Sequence, residues 1–393
     1  MIVRKVGALR VDGMLRLAAA CCVSAALVPV AAHSEETIKI GVPVPLTGSY
    51  MHAGQDILNG AKLAVDRINK AGGVLGKQLE IVPADDQCDA NMATQAAQKL
   101  ADAGVAAVVG GYCSSAALPE LAVFHRAGLP YVLDASTNPQ LTDMGYKEVF
   151  RVIGRDDEQG PFVANFVAHK LHAKRAAVID DGTTYATGLA ETTVAALKKE
   201  GVDVVHAGAI SPGQQDYGDT LKQVAELKPD VLFYTGYYPE AAVLVKQARQ
   251  LGYKFTFMGG DGTTDPTLMQ TASGAANGMY ASTSPLPQFL PSARGFIDNY
   301  TKAYGHAPGL YSVYEYDAIG VTAKAIADGK STRPADIALA LHKASGYNGV
   351  TGDITFNDKG DRAKAVYMTV VVRNGAFSAD SRLDANGHWV AVK

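Results

Sequence analysis

From Thr37 onward the chain alternates short runs of β-branched and apolar residues with longer stretches in which apolar residues recur every three or four positions. Runs of the first kind suit strands buried on both faces, and the second spacing lines one face of a helix. Residues 38–42, 79–83, 105–109 and 130–133 read as strands. Between them lie a helix with Ile57, Ala61, Ala64 and Ile68 on one face, ending at Gly72-Gly73, and helices over 91–103 and 116–127. A glycine just past the last periodic position is the ordinary helix stop. The alternation predicts βαβ units and a parallel sheet.

The rhythm restarts after an apolar run at 149–153. A helix over 158–171 leads to a strand at 176–179, a helix over 185–199 and a strand at 202–210. Strands at 231–234 and 255–258 flank a helix over 239–251, and 278–283 reads as a further strand. Helices over 293–304 and 311–327 follow, then strands at 351–356 and 367–373. The fold class expected is α/β, with a second doubly wound unit rather than an extension of the first sheet. Polar or glycine-rich sequence follows each early strand, and in open α/β sheets ligands bind at those carboxyl ends.

Composition adds the compartment. Arg4, Lys5, Arg10 and Arg16 precede an apolar run over 17–32, so 1–34 reads as a secretory signal. Val30-Ala31-Ala32 favours cleavage before His33, and Ala32-His33-Ser34 serves cleavage before Glu35 about as well. Cys21 and Cys22 fall inside the apolar run instead of closing it, which disfavours lipid attachment. No later run reaches the roughly eighteen apolar residues of a membrane span, so a periplasmic protein without direct membrane insertion is expected. The remaining ~360 residues suit two domains. A net charge of −3 with no basic block excludes the electrostatic footprint of a nucleic-acid binder.

With the signal removed, Cys88 and Cys113 form an even pair in an oxidising compartment, which predicts a disulfide. Closing that loop removes about 3 to 3.5 kcal/mol of unfolded-chain entropy in the chain-entropy picture. A paired Cys113 is no thiolate nucleophile. It stands in the segment richest in chemistry, V-A-A-V-V-G-G-Y-C-S-S over 105–115. Gly110 and Gly111 let the backbone turn freely, while Ser114 and Ser115 set hydroxyls beside the unpaired N–H groups of a helix start. Such a place attracts an anion, although a plain helix cap explains the segment equally well on its own.

Signs of catalysis are poor. Asp328-Gly329-Lys330-Ser331 imitates the end of a phosphate loop, but Lys324 stands where the upstream glycine belongs. No G-x-S-x-G elbow occurs. His169 and His172 read as a solvated helix face, and Asp85, Asp86 and Asp89 as a turn and helix cap rather than a calcium site. No catalytic residue, metal or cofactor is expected.

Several segments together carry a family resemblance: I-K-I-G-V-P-V-P-L-T-G from Ile38, D-D-Q-C-D from Asp85, G-Y-C-S-S from Gly111, A-S-T-N-P-Q-L-T from Ala135 and R-D-D-E-Q-G-P from Arg155. D-D-G-T-T-Y-A-T-G-L from Asp180, Y-T-G-Y-Y-P-E from Tyr234, F-M-G-G-D-G from Phe257 and F-N-D-K-G-D from Phe356 continue it. In this order the chain resembles the periplasmic leucine/isoleucine/valine-binding proteins, the receptors of branched-chain amino acid ABC importers. The resemblance implies two lobes, 35–155 with 285–365 and 156–284 with 366–393, joined by crossovers near 153–157, 282–287 and 361–366. A small amino acid would sit between the lobes, which close by a hinge, and an inner-membrane permease would be the partner.

Residue by residue, the resemblance implies that Ser114 hydrogen-bonds the ligand carboxylate. Ala135, Ser136 and Thr137 form the loop meeting its carboxylate and ammonium. Asp261 would pair with the ammonium from the second lobe, replacing a longer family glutamate. Tyr185 and Tyr237 would cover the ligand, with Tyr112 beside Ser114 and Tyr311 against the ligand side chain. Ala53, in the loop G-S-Y-M-H-A-G, stands where the family has a tyrosine. Its small side chain implies a larger or broader pocket, open to an aromatic amino acid, unless Tyr50 or His52 fills the space. Relatives that take amides, urea or aromatic acids, a chemosensory module and a hydrolase are the alternatives.

Overall fold

The computed structural model describes residues 37–392; the expected signal segment, with Cys21 and Cys22, lies outside them. Five parallel strands form the first sheet: β1 (Ile38–Val44), β2 (Leu79–Asp85), β3 (Ala107–Gly110), β4 (Tyr131–Leu133) and β5 (Val149–Arg151), in the order β2-β1-β3-β4-β5. Helices α1 (Met51–Lys70), α2 (Ala90–Asp102), α3 (Ser114–Ala127) and the short α4 (Gln140–Asp143) connect them. Val42, Val44, Val108, Val109, Val132 and Phe150 are fully buried, as strands covered on both faces require.

The chain leaves this sheet after β5 through α5 (Asp156–Asn165) and builds a second one. Its parallel part holds β6 (Arg175–Asp180), β7 (Asp203–Ala209), β8 (Val231–Tyr234), β9 (Thr256–Gly259) and β10 (Tyr280–Thr283), in the order β7-β6-β8-β9-β10. Helices α6 (Thr184–Lys199), α7 (Gly218–Glu226), α8 (Tyr238–Gln250) and α9 (Thr267–Ala272) join these strands. After β10 the chain returns: α10 (Arg294–Tyr304) and α11 (Leu310–Gly329) pack against α1, and α12 (Pro334–Lys343) against α11. A hairpin of β11 (Tyr347–Gly349) and β12 (Gly352–Ile354) precedes the last crossing. Finally β13 (Met368–Arg373), β14 (Ala376–Leu383) and β15 (Trp389–Ala391) extend the second sheet antiparallel beside β10. The second sheet is therefore mixed, and the molecule is an α/β protein of two lobes.

Several expectations shift. The helix expected over 158–171 ends at Asn165 and continues as a π-helical turn, Phe166–Lys170, with the Leu171 N–H donating to the Phe166 carbonyl. The strand expected over 351–356 shrinks to β12 and joins neither main sheet. Asp317 explains this, because it accepts the N–H groups of Val350 and Thr351 and the Thr351 hydroxyl, fixing a turn where a ladder would have run. Helix α3 begins at Ser114, two residues early, so Cys113 is its N-cap and both serines lie in the first turn. Helices α7 and α12 and strands β14 and β15 were not anticipated; their apolar stripes are short. Among the described residues no helix is long and apolar enough to cross a membrane.

Strand order fixes where a ligand can sit. In the first sheet the connections diverge between β1 and β3, and in the second between β6 and β8. Loops leaving neighbouring strands in opposite directions open a crevice at each of these points.

Candidate functional site

At the first crevice, β3 ends at Gly110 and Gly111, whose φ values of 138° and 100° suit glycine alone. A Cβ on Gly111 would come within 2.4 Å of the Tyr131 hydroxyl. This turn delivers Tyr112, Cys113 and Ser114 to the top of the sheet. Cys113 is bonded to Cys88 with a Cα–Cα distance of 5.4 Å, so the turn after β2 braces the turn after β3. Ser114 is buried, and its Oγ accepts the Asn138 N–H at 3.3 Å while keeping its own proton to donate. The N–H groups of Ser114 and Ser115 belong to the first turn of α3, where the helix does not use them. Together they make a donor-rich end.

The loop after β4 lies alongside. Ala135, Ser136 and Thr137 are all buried. The Ser136 hydroxyl donates to the Gly111 carbonyl at 2.8 Å, which ties one loop to the other rather than pointing at a ligand. The Thr137 hydroxyl is buried beside the Asp156 carboxyl, and the Thr137 carbonyl accepts the N–H of Asp156 at 3.1 Å.

The second lobe supplies acid. Asp261 sits in a single 3-10 turn after β9 and is buried. Tyr185, in the first turn of α6, donates to its Oδ1 at 2.8 Å, and Tyr311, in the first turn of α11, donates to its Oδ2 at 3.0 Å. The flanking glycines of G-G-D-G are explained by close approach, since a Cβ on Gly260 would lie 2.6 Å from the Tyr185 hydroxyl and one on Gly262 would lie 3.0 Å from its ring. Burial raises the Asp261 pKa, against hydrogen bonds from Tyr185, Gln159 and Tyr311. Asp156 lies near enough to feel its charge; it is fully buried, and burial followed by the Asp261 charge pushes its pKa well up, against the nearby Thr137 hydroxyl. A cationic group placed between these carboxyls would relieve both.

Aromatic rings wall the remaining side. Tyr237 lies 5.1 Å from Tyr185, 5.4 Å from Tyr112 and 4.9 Å from Tyr50, centroid to centroid, and Tyr112 meets Tyr311 edge-on at 5.3 Å. The Tyr237 hydroxyl is buried without a protein partner. Ala53 is not on a loop: α1 starts at Met51, and Ala53 is a buried residue of its first turn. The neighbouring Tyr50 packs its ring 4.9 Å from that of Tyr237, beside the aromatic wall. His52 turns elsewhere, with Nδ1 2.9 Å from Asp265 Oδ2 of the second lobe. The lobes also meet through the Tyr238 hydroxyl on the Ser49 carbonyl (2.9 Å) and Asn138 Nδ2 on the Thr184 carbonyl (2.8 Å).

All the expected site residues thus converge on one interlobe region, with Ser136 as a brace and Ala53 as helix core. Sequence reasoning named Tyr50 only as an alternative filler of the space at Ala53 and did not single out Asp156, Gln159 or Tyr238. Asp156 had a signal in R-D-D-E-Q-G-P, where adjacent acids at a helix start read as ordinary first-turn charges. The acidic turn at Asp85, Asp86 and Asp89 is structural: Asp85 accepts the N–H groups of Leu46 and Thr47, Asp86 that of Cys88, and Asp89 caps α2.

Residues 37–376 match the periplasmic binding protein family. Among similar proteins, an amino acid binding protein of Pseudomonas aeruginosa is 34% identical over 339 residues, covering 86% of this chain and 90% of its own. A leucine-, isoleucine-, valine-, threonine- and alanine-binding protein of the same organism is 33% identical over 326 residues, 83% of this chain and 87% of its own. A leucine-binding protein of Thermotoga maritima superposes with a TM-score of 0.84 at 30% identity, over 89% of this chain and 99% of that one. The substrate-binding protein of a branched-chain amino acid transporter from Streptococcus pneumoniae, solved with isoleucine, gives 0.82 at 29% identity, over 91% and 100%.

Proposed function

Because the chain belongs to the periplasmic binding protein family, we propose that it is the substrate receptor of an ABC importer, capturing a free α-amino acid between its lobes and handing it unchanged to a membrane permease. The observation that carries this reading is the buried Asp261, held by the phenols of Tyr185 and Tyr311 and approached by Gln159, in the lobe opposite the donor end at Ser114. A carboxylate needs donors and an ammonium needs acceptors, and in a desolvated cleft each unpaired group costs on the order of 1 to 3 kcal/mol. Ser114, the start of α3 and the Thr137 hydroxyl take the carboxylate end. Asp261, with Asp156 behind it, takes the ammonium. The shorter reach of aspartate is met by direct contact with Tyr185 and Tyr311, which hold both its oxygens.

Rings of Tyr50, Tyr112, Tyr237 and Tyr311 form a wall suited to an apolar side chain. The relatives that bind leucine, isoleucine and valine support an aliphatic ligand, and the Tyr50 ring packed against Tyr237 supports a pocket that is not broadened. We assign the hinge to 153–157, 282–287 and 361–366, a division supported by the sheet that each flanking strand joins. Each contact across the cleft exists only when the lobes meet, so a ligand that bridges them shifts the population toward closure. The family is one of binding proteins, and no catalytic step is assigned. The periplasm is the compartment that suits the signal-like start of the sequence and the Cys88–Cys113 bridge.

Titration calorimetry with leucine, isoleucine, valine and phenylalanine tests the reading. Binding of the aliphatic three with phenylalanine weaker is expected. Binding of none of the four overturns it.

A further inference from the structure

One buried side chain holds the turn that brings Ala135 and Thr137 to the cleft. Arg151 closes β5 and is fully buried. Its Nη1 donates to the carbonyls of Ser136 (3.2 Å) and Asn138 (2.9 Å), on either side of Thr137. Nε and Nη2 donate to Asp361 Oδ1 at 2.8 and 2.7 Å, and Nη2 donates to Thr142 Oγ1 at 2.7 Å. A guanidinium carries its N–H groups in a fixed planar fork, and these contacts use all of them.

Asp361 sits on the last crossing. Its stretch bridges Arg151 in parallel just before the chain passes to β13, and its Oδ2 accepts Arg155 Nη1 at 2.7 Å. Arg155 is the N-cap of α5, on the first crossing, and its carbonyl accepts the Tyr367 hydroxyl at 2.7 Å. The cluster therefore joins the 135–138 turn to two of the strands that run between lobes. A buried ion pair alone is weak evidence of stabilisation, since uncharged replacements of similar volume are often tolerated. Such a replacement cannot supply the paired donors on Ser136 and Asn138.

We propose that Arg151 is a positioning residue for ligand binding, fixing the 135–138 turn in register with the crossing strands through Ser136, Asn138 and Asp361. The inference rests on the reading of that turn as part of the amino-acid site.

The test uses the purified protein titrated with L-leucine and L-isoleucine, with thermal unfolding measured in parallel. Arg151→Lys keeps a charge opposite Asp361 but loses the paired Nη1 donors; it should bind at least tenfold more weakly while unfolding cooperatively. In Arg151→Met/Asp361→Asn both charges go together, so most of the stability lost in Arg151→Met should return while affinity stays at least tenfold down. Recovery of affinity together with stability, or unchanged affinity in Arg151→Lys, overturns the proposal. Ser114→Ala and Thr137→Ala separate it from its premise. If both bind like the unaltered protein, the site reading fails and takes the proposal with it; if they weaken and the Arg151 variants do not, the proposal alone fails.

Discussion

The chemistry of the site is concentrated in a few side chains whose burial makes each one matter. Ser114→Ala removes one hydroxyl donor and little volume, so the fold should survive and an α-amino acid should bind roughly tenfold or more weakly, about 1.4 kcal/mol or above. Calorimetry beside a thermal melt separates the two effects. Asp261→Asn should weaken leucine far more than 4-methylpentanoate, the same skeleton without its ammonium. Equal losses for both would remove Asp261 from the ammonium end. At this scale the sequence was informative where a residue's type and its neighbours coincide, as at Ser114 behind two glycines or Asp261 inside G-G-D-G. It was silent where only three-dimensional placement decides. Nothing in G-S-Y-M-H-A-G tells that the chain turns helical at Met51, burying Ala53 in α1 and leaving Tyr50 to face Tyr237.

Helices and turns carry the next level of control. The Cys88–Cys113 bridge clamps the start of α3 to the turn before α2, closing a separation of 25 residues. Replacing both cysteines with serine should cost about 3 kcal/mol in the chain-entropy account and weaken ligand binding, because the donor turn loses its brace. Across the cleft mouth, the first turn of α1 presents His52 to Asp265. The hydrogen bond that His52 donates to Asp265, opposed by partial burial and helped by the charges of Asp265 and Asp56, raises the His52 pKa above its ordinary 6.5. The contact joins the two lobes, so a movement that separates them would release the proton it holds. Its contribution is complete below 6.5 and is lost as pH rises through the raised value. Ligand affinity should therefore fall by a few-fold between pH 6 and pH 8, and His52→Gln should flatten the profile. A profile unchanged in His52→Gln would assign the pH dependence elsewhere. Elements with long periodic stripes, such as α1 and α8, were legible in the sequence. The short hairpin β11–β12 was not, because Asp317, distant in sequence, decides where the strand stops.

The whole molecule holds its carboxyls unusually deep. Asp134, just before the ligand loop, and Glu315, on α11, are fully buried, and burial pushes both pKa values well up. The Asp134 charge adds to the Glu315 shift, and the Asp56 charge to that of Asp134, which backbone N–H groups of Asp134 and Ala135 oppose. Raised acid pKa values mean that the folded state holds protons the unfolded chain releases. Stability from these groups is greatest below the ordinary carboxylate range and declines as pH rises through the shifted values. Thermal unfolding should occur at lower temperature as pH climbs toward 9, and Asp134→Asn with Glu315→Gln should recover a few degrees there. No such gain at alkaline pH would show that the pair is ionised and compensated. The two-lobed plan was legible because strand–helix alternation restarts after β5. The antiparallel extension of the second sheet was not, since β14 and β15 carry mixed polar residues and take their places from pairing with β13.

If one interlobe cleft recognises both charged ends of an amino acid, titrating the protein with leucine, with 4-methylpentanoate and with 3-methylbutylamine reveals it, since the last two lack the ammonium and the carboxylate respectively. Leucine should bind at least a hundredfold more tightly than either, because each analogue leaves one buried end of the site unpaired. Binding of either analogue as tightly as leucine would mean that the cleft does not read both ends.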